Sequence, residues 1–328
     1  MERNGIQIVG AAILDVLVHP AGPGVFASGS SSADEIRVSA GGDAANEAAV
    51  LARLGKKVRL DTAIGCDMAG DIIQKFCRDN RILLDPSHIR PDIHTGVNVV
   101  LIQENGERSF LTDPHGSLRK IAIRDVTLPF PEDTAILSFA SIFTYPDFGT
   151  SEMEFLFRTA KEHGLLVCAD MTSCKHGETV ETIAPALAYT DYLFPNEKEA
   201  LLVTGEETAE DAARALRAAG VSHVAVKCGA RGCYLSSEEE NGFEDGVPGV
   251  TCVDTTGAGD SFAAGFIYGL SEGFTFRRCA AFANECGARA VSFTGASEWL
   301  KHGLPSEPGC VDDHSLFFRK PNGSSSER

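Results

Sequence analysis

Short apolar runs that fit β-strands alternate along this 328-residue chain with segments whose apolar positions follow a helical period. The apolar runs are nearly continuous, as expected for strands that are buried on both faces of a sheet. This alternation predicts an α/β fold in which helices cover both faces of a mainly parallel sheet. The predicted strands are residues 6–10, 58–64, 135–139, 165–170, 192–195, 224–227 and 250–253, and the predicted helices are residues 44–54, 70–80, 152–163, 209–219 and 262–270.

Two stretches, residues 12–39 and 94–112, depart from this rhythm. Apolar and polar residues alternate within them, as in strands with one buried face, and residues 104–107 (Glu-Asn-Gly-Glu) fit a hairpin turn. We therefore expect both stretches to form a small separate sheet. Pro, Gly and Ser accumulate from residue 303 onward. This composition predicts one domain over residues 1–302 and a loosely ordered tail over residues 303–328.

Composition narrows the functional classes. The net charge of −17 gives no basic footprint for a nucleic acid, so we expect none as a partner. No apolar run is long enough to span a membrane, and the amino terminus lacks the features of a signal peptide. The ten cysteines include no CxxC pair and fit no zinc site, which indicates free thiols and a cytoplasmic location. The P-loop and the protein-kinase motifs are also absent from the sequence.

Residues 254–262, Asp-Thr-Thr-Gly-Ala-Gly-Asp-Ser-Phe, carry the clearest chemical signal. They precede a predicted helix, so Gly257, Ala258 and Gly259 would present unpaired N–H groups and the positive end of the helix dipole to an anion. Asp260 beside this anion site would repel a phosphate unless it takes the proton of an attacking hydroxyl. The motif therefore predicts phosphoryl transfer to an alcohol, with Asp260 as the base. The alternative is a simple capping sequence in which the glycines only turn the chain.

A glycine pair opens a second helix at residues 41–48, Gly-Gly-Asp-Ala-Ala-Asn-Glu-Ala. Three further motifs begin at residue 65 (Gly-Cys-Asp-Met-Ala-Gly-Asp), residue 195 (Pro-Asn-Glu-Lys-Glu-Ala) and residue 226 (Val-Lys-Cys-Gly-Ala-Arg-Gly). Together with residues 254–262, these motifs resemble the signatures of the ribokinase-like (PfkB) carbohydrate kinases, in the same order. The resemblance implies a three-layer α/β/α ribokinase-like fold with a β-sheet lid, ATP and Mg²⁺ as requirements, and a homodimer formed through the lid.

The resemblance places the candidate sugar-binding residues in three segments of the chain. Asp15, near the end of the first strand region, would accept hydrogen bonds from sugar hydroxyls, which suit a carboxylate because such bonds are charge-assisted. Gly41 and Gly42 would bring the backbone close to the sugar, and Asn46 offers both a donor and an acceptor. Asn98 is a weaker candidate. The alternatives are a strand-end turn for Asp15, helix capping by the neighbouring aspartate at position 43, and an outward-facing position on an edge strand for Asn98.

The nucleotide and Mg²⁺ residues lie in the second half of the chain. Asn196 and Glu199, spaced i, i+3 at a helix start, could organise the water shell of Mg²⁺, or they could form a solvated helix turn. The turn that includes Lys227, Gly229 and Gly232 is expected to reach the nucleotide. In the resembling family a later Asn or His flanks the adenine, and Asn284 occupies this place, although an ordinary polar helix position explains it equally well.

The resemblance also implies an optional monovalent cation, such as K⁺, at a loop near the end of the domain. The residues that correspond to this site are Asp254, Thr256, Ala290, Phe293 and Gly295.

One motif departs from the family pattern. Relatives that act on sugar acids or fructose often carry D-x-N-x-R after the middle strand, whereas this chain has Thr172 and Cys174 in place of Asn and Arg. Loss of the Arg removes the bidentate partner of a carboxylate substrate, although Lys175 could compensate in part. We expect a kinase for a free sugar of ribose or fructose type. The alternatives are a nucleoside kinase, a sugar-acid (2-keto-3-deoxygluconate type) kinase and a non-catalytic sugar- or nucleotide-binding regulator.

Overall fold

The computed structural model describes residues 3–22, 24, 29–104 and 107–305. Strands and helices alternate along these residues as the apolar pattern predicts. The strands are β1 (Gly5–Val9), β2 (Ile13–His19), β3 (Glu35–Gly41), β4 (Lys57–Asp61), β5 (Ile64–Gly65), β6 (Leu83–Leu84), β7 (Ile89–Arg90), β8 (Val97–Ile102), β9 (Arg108–Thr112), β10 (Thr134–Ile142), β11 (Leu166–Met171), β12 (Tyr192–Leu193), β13 (His223–Lys227), β14 (Gly232–Ser236) and β15 (Asn241–Asp245). The helices are α1 (Asp43–Arg53), α2 (Met68–Asp79), α3 (Thr150–Glu162), α4 (Val180–Leu187), α5 (Glu197–Thr204), α6 (Ala209–Ala218), α7 (Ala258–Ser271) and α8 (Phe276–Ala290).

Nine strands form the central sheet in the order β15-β14-β13-β12-β11-β10-β1-β4-β6. All neighbours pair in parallel except β13–β14 and β14–β15, which are antiparallel at one edge. The chain runs outward from β1 through β4 to β6, and then returns to β10 on the other side of β1. The strand order therefore reverses between β1 and β10, which is where open α/β sheets bind ligands.

Helices cover both faces of this sheet. On one face α1, α7 and α8 bury a core that includes Leu51, Phe266 and Phe282. On the opposite face α3 and α6 bury a second core that includes Phe157 and Leu216. The predicted three-layer α/β/α fold is therefore confirmed. Among the described residues no helix is long and apolar enough to cross a membrane.

The predicted small sheet is also confirmed as a separate four-stranded sheet, which we call the lid, in the order β3-β2-β8-β9. Because side chains alternate along a strand, one face of the lid points to the domain and buries Leu17 and Val100. The other face is apolar and open to solvent. Its exposed side chains include Ile36 (68% exposed), Val38 (50%) and Leu111 (57%).

Some sequence predictions fail locally. Residues 250–253 form no strand, because the N–H groups of Val253 and Asp254 bond to the carbonyl of Val291 instead of to a neighbouring strand. Strands β14 and β15 were not predicted. The predicted strand over residues 58–64 ends earlier, since β5 pairs with β7 in a separate two-stranded sheet. The turn residues 105–106 and residues 306–328 of the predicted tail lie outside the described residues.

Candidate active site

The predicted functional residues converge at the carboxyl ends of the parallel strands. Asp170 is the penultimate residue of β11, Asn196 follows β12 and Lys227 ends β13. The segments before α1 and α7 reach the same edge of the sheet, because α1 and α7 pack against each other. Charges that are far apart in the sequence therefore surround one site close to the point where the strand order reverses.

The start of α7 has the geometry that the motif predicts. Gly257 is the N-cap residue at φ 73°, and no side chain caps the helix, so the simple capping interpretation of the two threonines is wrong. A β-carbon on Gly257 would lie 2.4 Å from the β-carbon of Ala296, so only glycine fits this turn. Ala258 donates its N–H to the carbonyl of Thr255 at 3.3 Å. The N–H groups of Gly259 and Asp260 have no acceptor among the described residues, which leaves them available to an anion.

Asp260 lies in the first turn of α7 and faces α1. Asn46 Nδ2 donates to Asp260 Oδ2 at 2.7 Å, which joins the two glycine motifs in one site. Burial raises the pKa of Asp260 to about 6, and Asp43 adds to this shift, while the hydrogen bond from Asn46 opposes it. A carboxyl group with this pKa is ionised near neutral pH and still basic enough to take a proton from a hydroxyl group.

The predicted sugar-binding residues meet beneath the lid. Asp15 pairs in register with Asn98 between β2 and β8, and a side-chain hydrogen bond links the two residues. Strand β8 is internal to the lid, so the edge-strand interpretation of Asn98 is wrong. Burial raises the pKa of Asp15 to about 6. A β-carbon on Gly41 would lie 2.0 Å from Asp15 Oδ2, and Gly42 has φ 98°, so both glycines are needed to seat this carboxylate beside the start of α1.

Asp43 holds the glycine turn in place. Its carboxylate accepts hydrogen bonds from the N–H groups of Ala11 (2.9 Å) and Ala44 (2.6 Å) and from the hydroxyl of Tyr145 (3.1 Å). Gly42 is the N-cap residue of α1 and has no side chain, and Asp43 satisfies one N–H of the first turn, that of Ala44, as the capping alternative expects. The same carboxylate ties the start of α1 to the loop after β1.

Lys227 places a cation beside the first turn of α7. Its Nζ donates to Asp170 Oδ2 at 2.5 Å, and a β-carbon built on Gly259 would lie 3.3 Å from the same Nζ. Burial raises the pKa of Asp170 to about 7, although Lys227 opposes the shift. Burial by itself lowers the pKa of Lys227, but Asp170 and Glu199 together raise that pKa above its ordinary value. Lys227 is therefore a largely covered ammonium group that points at the predicted anion site.

Asn196 and Glu199 form a reciprocal cap at the start of α5. Asn196 Oδ1 accepts from the N–H of Glu199 at 2.9 Å, and Glu199 Oε2 accepts from the N–H of Asn196 at 2.8 Å. Glu199 Oε1 takes no part in this cap. Burial raises the pKa of the Glu199 carboxyl group, and the charge of Lys227 opposes the shift. The carboxyl groups of Asp170, which is buried, and of Asp260, which is half-buried, also lie close to Lys227. This acidic oxygen set fits Mg²⁺ held through water.

A direct protein cage for a metal ion is not formed. Among the described residues, no group of three His, Cys, Asp or Glu side chains lies close enough to ligate one.

The predicted nucleotide residues lie at the turn between β13 and β14 and on α8. A short 3₁₀ turn, Gly229–Arg231, and Gly232 at φ 92° reverse the chain after Lys227. Asn284 donates to the carbonyls of Glu244 (3.3 Å) and Asp245 (3.1 Å) at the end of β15. The side-chain amide of Asn284 thus joins α8 to the sheet edge, which favours the structural alternative for this residue.

Asp254 ties together the loop that resembles a monovalent-cation site. Its carboxylate accepts from the N–H of Thr256 at 2.8 Å and from the N–H of Gly295 at 2.6 Å. The carbonyl of Ala290 accepts from the N–H of Phe293 at 3.3 Å. Asp254 and Thr256 thus lie just before α7, while Ala290, Phe293 and Gly295 lie at and after the end of α8, and the bond from Gly295 to Asp254 joins the two segments.

A cavity of about 470 Å³ lies between the lid and the domain. We call it the lid cavity. Its walls are the inner face of β2 and β3, the second half of α1, the end of α2 and residues 294–301. Asp15 and Thr256 line it, so it is continuous with the predicted sugar site.

Two buried acidic residues of the site were not predicted. The sequence places Asp170 at the first position of the altered D-x-N-x-R motif but gives it no role. Its place near the carboxyl end of a predicted parallel strand would have indicated a site residue. Glu47 is 1% exposed and accepts a hydrogen bond from Ser138 Oγ at 2.8 Å. Burial raises the pKa of Glu47 well above its ordinary value, and the charge of Asp170 adds to the shift. The sequence could have indicated this buried acid, because Glu47 lies among the apolar residues of the predicted helix.

Comparisons with known proteins identify the family of this chain. The family model described as pfkB family carbohydrate kinase matches residues 4–302. A ribokinase of Haemophilus influenzae is 27% identical over 278 residues, which cover 79% of this chain and 83% of that protein. A 2-dehydro-3-deoxygluconokinase of Bacillus subtilis is 36% identical over 121 residues, or 37% of each protein. The structure of an Arabidopsis thaliana ribokinase complexed with ribose and ATP is 26% identical with a TM-score of 0.73, and the match covers 90% of this chain and 95% of that one. The chain belongs to the pfkB family of carbohydrate kinases.

Proposed function

We propose that this carbohydrate kinase transfers the γ-phosphoryl group of ATP to a hydroxyl of a free sugar of ribose or fructose type. One observation carries the proposal: Asp260, with a pKa of about 6, lies beside two unpaired helix N–H groups and bonds to Asn46. This arrangement puts a base, an anion site and a sugar-binding helix within one turn of each other. The matched ribokinases are consistent with such an acceptor.

In the proposed reaction Asp15, Asn46 and Asn98 hold the sugar beneath the lid. Asp260 takes the proton of the attacking hydroxyl as its oxygen forms a bond to the γ-phosphorus. The bond from that phosphorus to the bridging oxygen breaks, and ADP leaves with the electron pair. The N–H groups of Gly259 and Asp260 stabilise the charge on the phosphoryl oxygens, because they are already oriented before the reaction.

Lys227 supplies the cation nearest to this charge. Asp170 holds its ammonium group in place, and Nζ lies beside Gly259, where the phosphoryl group would arrive. Asn196 and Glu199 would hold Mg²⁺ through water, and the bound ion would neutralise the phosphates of ATP. The turn at Gly229 and Gly232 is the proposed boundary of the nucleotide site, and Asn284 holds the end of β15. The lid would exclude water that could otherwise hydrolyse ATP.

Two other acceptors fit the family. A nucleoside kinase would need aromatic side chains for a base, and Phe76 and Phe110 line the lid cavity, while Phe26 lies outside the described residues. A sugar-acid kinase is suggested by the partial match to the deoxygluconokinase, but Cys174 stands where a carboxylate-binding Arg would be expected. A non-catalytic regulator is disfavoured because Asp260 and the adjacent glycines are intact.

We also propose a homodimer that forms through the open apolar face of the lid. The face carries the exposed side chains of Ile36, Val38 and Leu111, which would be shielded by a second copy of the same sheet. We further propose that the loop held by Asp254 can bind K⁺. We also propose a cytoplasmic location. The location is supported by free cysteines, of which six of the nine described are buried and two are exposed.

ADP release should be measured across free sugars, sugar acids, sugar phosphates and nucleosides. We expect the highest kcat/KM for a neutral ketose or pentose. In the same assay Asp260→Asn should lower kcat by ~10²–10⁴-fold and leave ADP affinity unchanged, since a base and not a nucleotide contact is removed. Asp71→Asn, which removes an exposed carboxylate from the first turn of α2, is the matched control. More than about a tenth of wild-type kcat in the Asp260 variant would refute the assignment of the base.

A further inference from the structure

Residues 294–301 form one wall of the lid cavity and lie against the first turn of α7. Seven of these eight residues line the cavity, and Trp299 is the exception. Its side chain is 1% exposed and belongs to the core that α1, α7 and α8 cover. Trp299 is also the only tryptophan in the sequence. The indole therefore points away from the cavity and into the core beneath the helix that carries the base.

A hydrogen bond joins Trp299 to the residue that follows the base. The indole Nε1 donates to Ser261 Oγ at 3.3 Å, and both residues are buried. The N–H of Ser261 donates to the carbonyl of Gly257 at 2.8 Å, which closes the first turn of α7. A buried indole N–H needs an acceptor, so the bond to Ser261 holds the indole and this turn together. Asp260 lies in the turn that is fixed in this way.

Two further contacts hold the start of α7 from the same side. The N–H of Gly295 donates to Asp254 Oδ2 at 2.6 Å. A β-carbon on Gly257 would lie 2.4 Å from that of Ala296, so the N-cap residue packs directly on residues 294–301. Together with the bond from Trp299, these contacts fix the start of α7 at three points.

The ends of the same segment are bonded to the two elements that carry the predicted sugar-binding residues. Arg37 of the lid donates Nη2 to the carbonyl of Thr294 at 3.2 Å. Arg53 of α1 donates Nε to the carbonyl of Leu300 at 3.3 Å. Residues 294–301 therefore connect the lid and α1 with the first turn of α7.

We propose that Trp299 is a positioning residue for the base, and that it acts through Ser261. Asn46 holds the carboxylate of Asp260 by a hydrogen bond, whereas Trp299 fixes the backbone turn from which that carboxylate projects. The same turn carries the free N–H groups of Gly259 and Asp260. A base must lie within hydrogen-bond reach of the proton that it takes, and a displacement of about 1 Å can lower a rate by about 10²-fold. The effect on catalysis rests on the proposed kinase function, whereas the ordering of the turn does not.

Hydrogen exchange tests the ordering of the turn without any turnover. Trp299→Phe keeps a large aromatic ring and removes the N–H, and Ser261→Ala removes the acceptor and keeps the indole. In both variants the amides of residues 258–264 should exchange about fivefold faster than in the wild type, as expected for one lost hydrogen bond. Phe282→Leu is the matched control, because it trims a buried ring of α8 in the same core. The first turn of α7 should exchange at the wild-type rate in this control.

Steady-state kinetics then test the effect on the base. Trp299→Phe and Ser261→Ala should each lower kcat by about fivefold or more, because the base is displaced. The KM values for sugar and ATP should stay unchanged, since neither side chain contacts a substrate. The double variant should show no further loss, because both substitutions break the same bond. Phe282→Leu should keep the wild-type kcat even where its Tm is lower.

Two results would overturn the proposal. One is faster exchange with an unchanged kcat in both variants, which would leave Trp299 as a residue of the core. The other is exchange at the wild-type rate in both variants. Ser261→Ala decides the question if Trp299→Phe does not fold, because it keeps the indole in the core. Faster exchange in the variants, with no acceptor phosphorylated by the wild type, would support the ordering of the turn and contradict the proposed kinase function alone.

Discussion

The pKa of Asp260 predicts how the reaction depends on pH and how one hydrogen bond controls that dependence. Only the ionised carboxylate can take a proton, so activity is lost as the pH falls through the pKa of about 6. With this pKa the ionised fraction is about 0.9 at pH 7 and about 0.1 at pH 5. The rate should therefore fall about tenfold between these two pH values.

Asn46→Leu tests the assignment, because Asn46 Nδ2 donates to Asp260 and holds its pKa down. A hydrogen bond to a charged group contributes about 1.5–3 kcal/mol, and one pKa unit corresponds to about 1.4 kcal/mol. Removing the bond should move the midpoint upward by about 1–2 units. Asn98→Leu removes an amide that contacts Asp15 instead, and it should leave this midpoint in place.

The assay is kcat/KM for ATP at saturating sugar, measured from pH 5 to pH 9. Saturating sugar keeps the titration of Asp15, whose pKa is also about 6, out of the profile. The titration of ATP is the same for all variants. The difference in midpoint between Asn46→Leu and the wild type therefore measures the change in the pKa of the enzyme group. The same midpoint in both proteins would refute the role of Asp260, and an equal shift in Asn98→Leu would show that the effect is not specific.

Three further predictions concern the metal, the sugar and the lid. Glu199→Gln should raise the Mg²⁺ concentration at half-maximal rate while the sugar KM stays constant. Glu181→Gln, which changes an exposed carboxylate in the first turn of α4, should change neither, and an unchanged Mg²⁺ titration in Glu199→Gln would leave Glu199 as a cap alone. Asp15→Ala should raise the sugar KM by about 10–100-fold, because a hydrogen bond to a charged acceptor contributes about 1.5–3 kcal/mol. An unchanged sugar KM would show that Asp15 does not bind the sugar. The mass measured by light scattering should change from that of a dimer to that of a monomer in Val38→Lys. It should stay that of a dimer in Leu202→Lys, at an exposed apolar position on α5, and a monomeric wild type would contradict the dimer.

Local patterns in the sequence were sufficient for the fold class and for one half of the site. The alternation of apolar strands and helices predicts the layered sheet, because each pattern depends only on neighbours within one segment. The glycines before α7 likewise predict a free helix start, since φ 73° at Gly257 and the missing side-chain cap are local properties. Residues 250–253 show the limit of this approach. Their β-branched side chains favour a strand, but no neighbouring strand is available to pair with them.

The tertiary structure alone decided which charges meet. Lys227 and Asp170 are 57 residues apart, and they become partners only because β11, β12 and β13 are neighbours in the sheet. The amide of Asn284, predicted at the nucleotide, is used to hold the end of β15, a strand that the sequence did not reveal. The lid cavity likewise depends on how the lid lies over α1 and α2. Burial, which sets the pKa of Asp260 and leaves Arg37 Nε without an acceptor, is a property of the packed molecule and of no single segment.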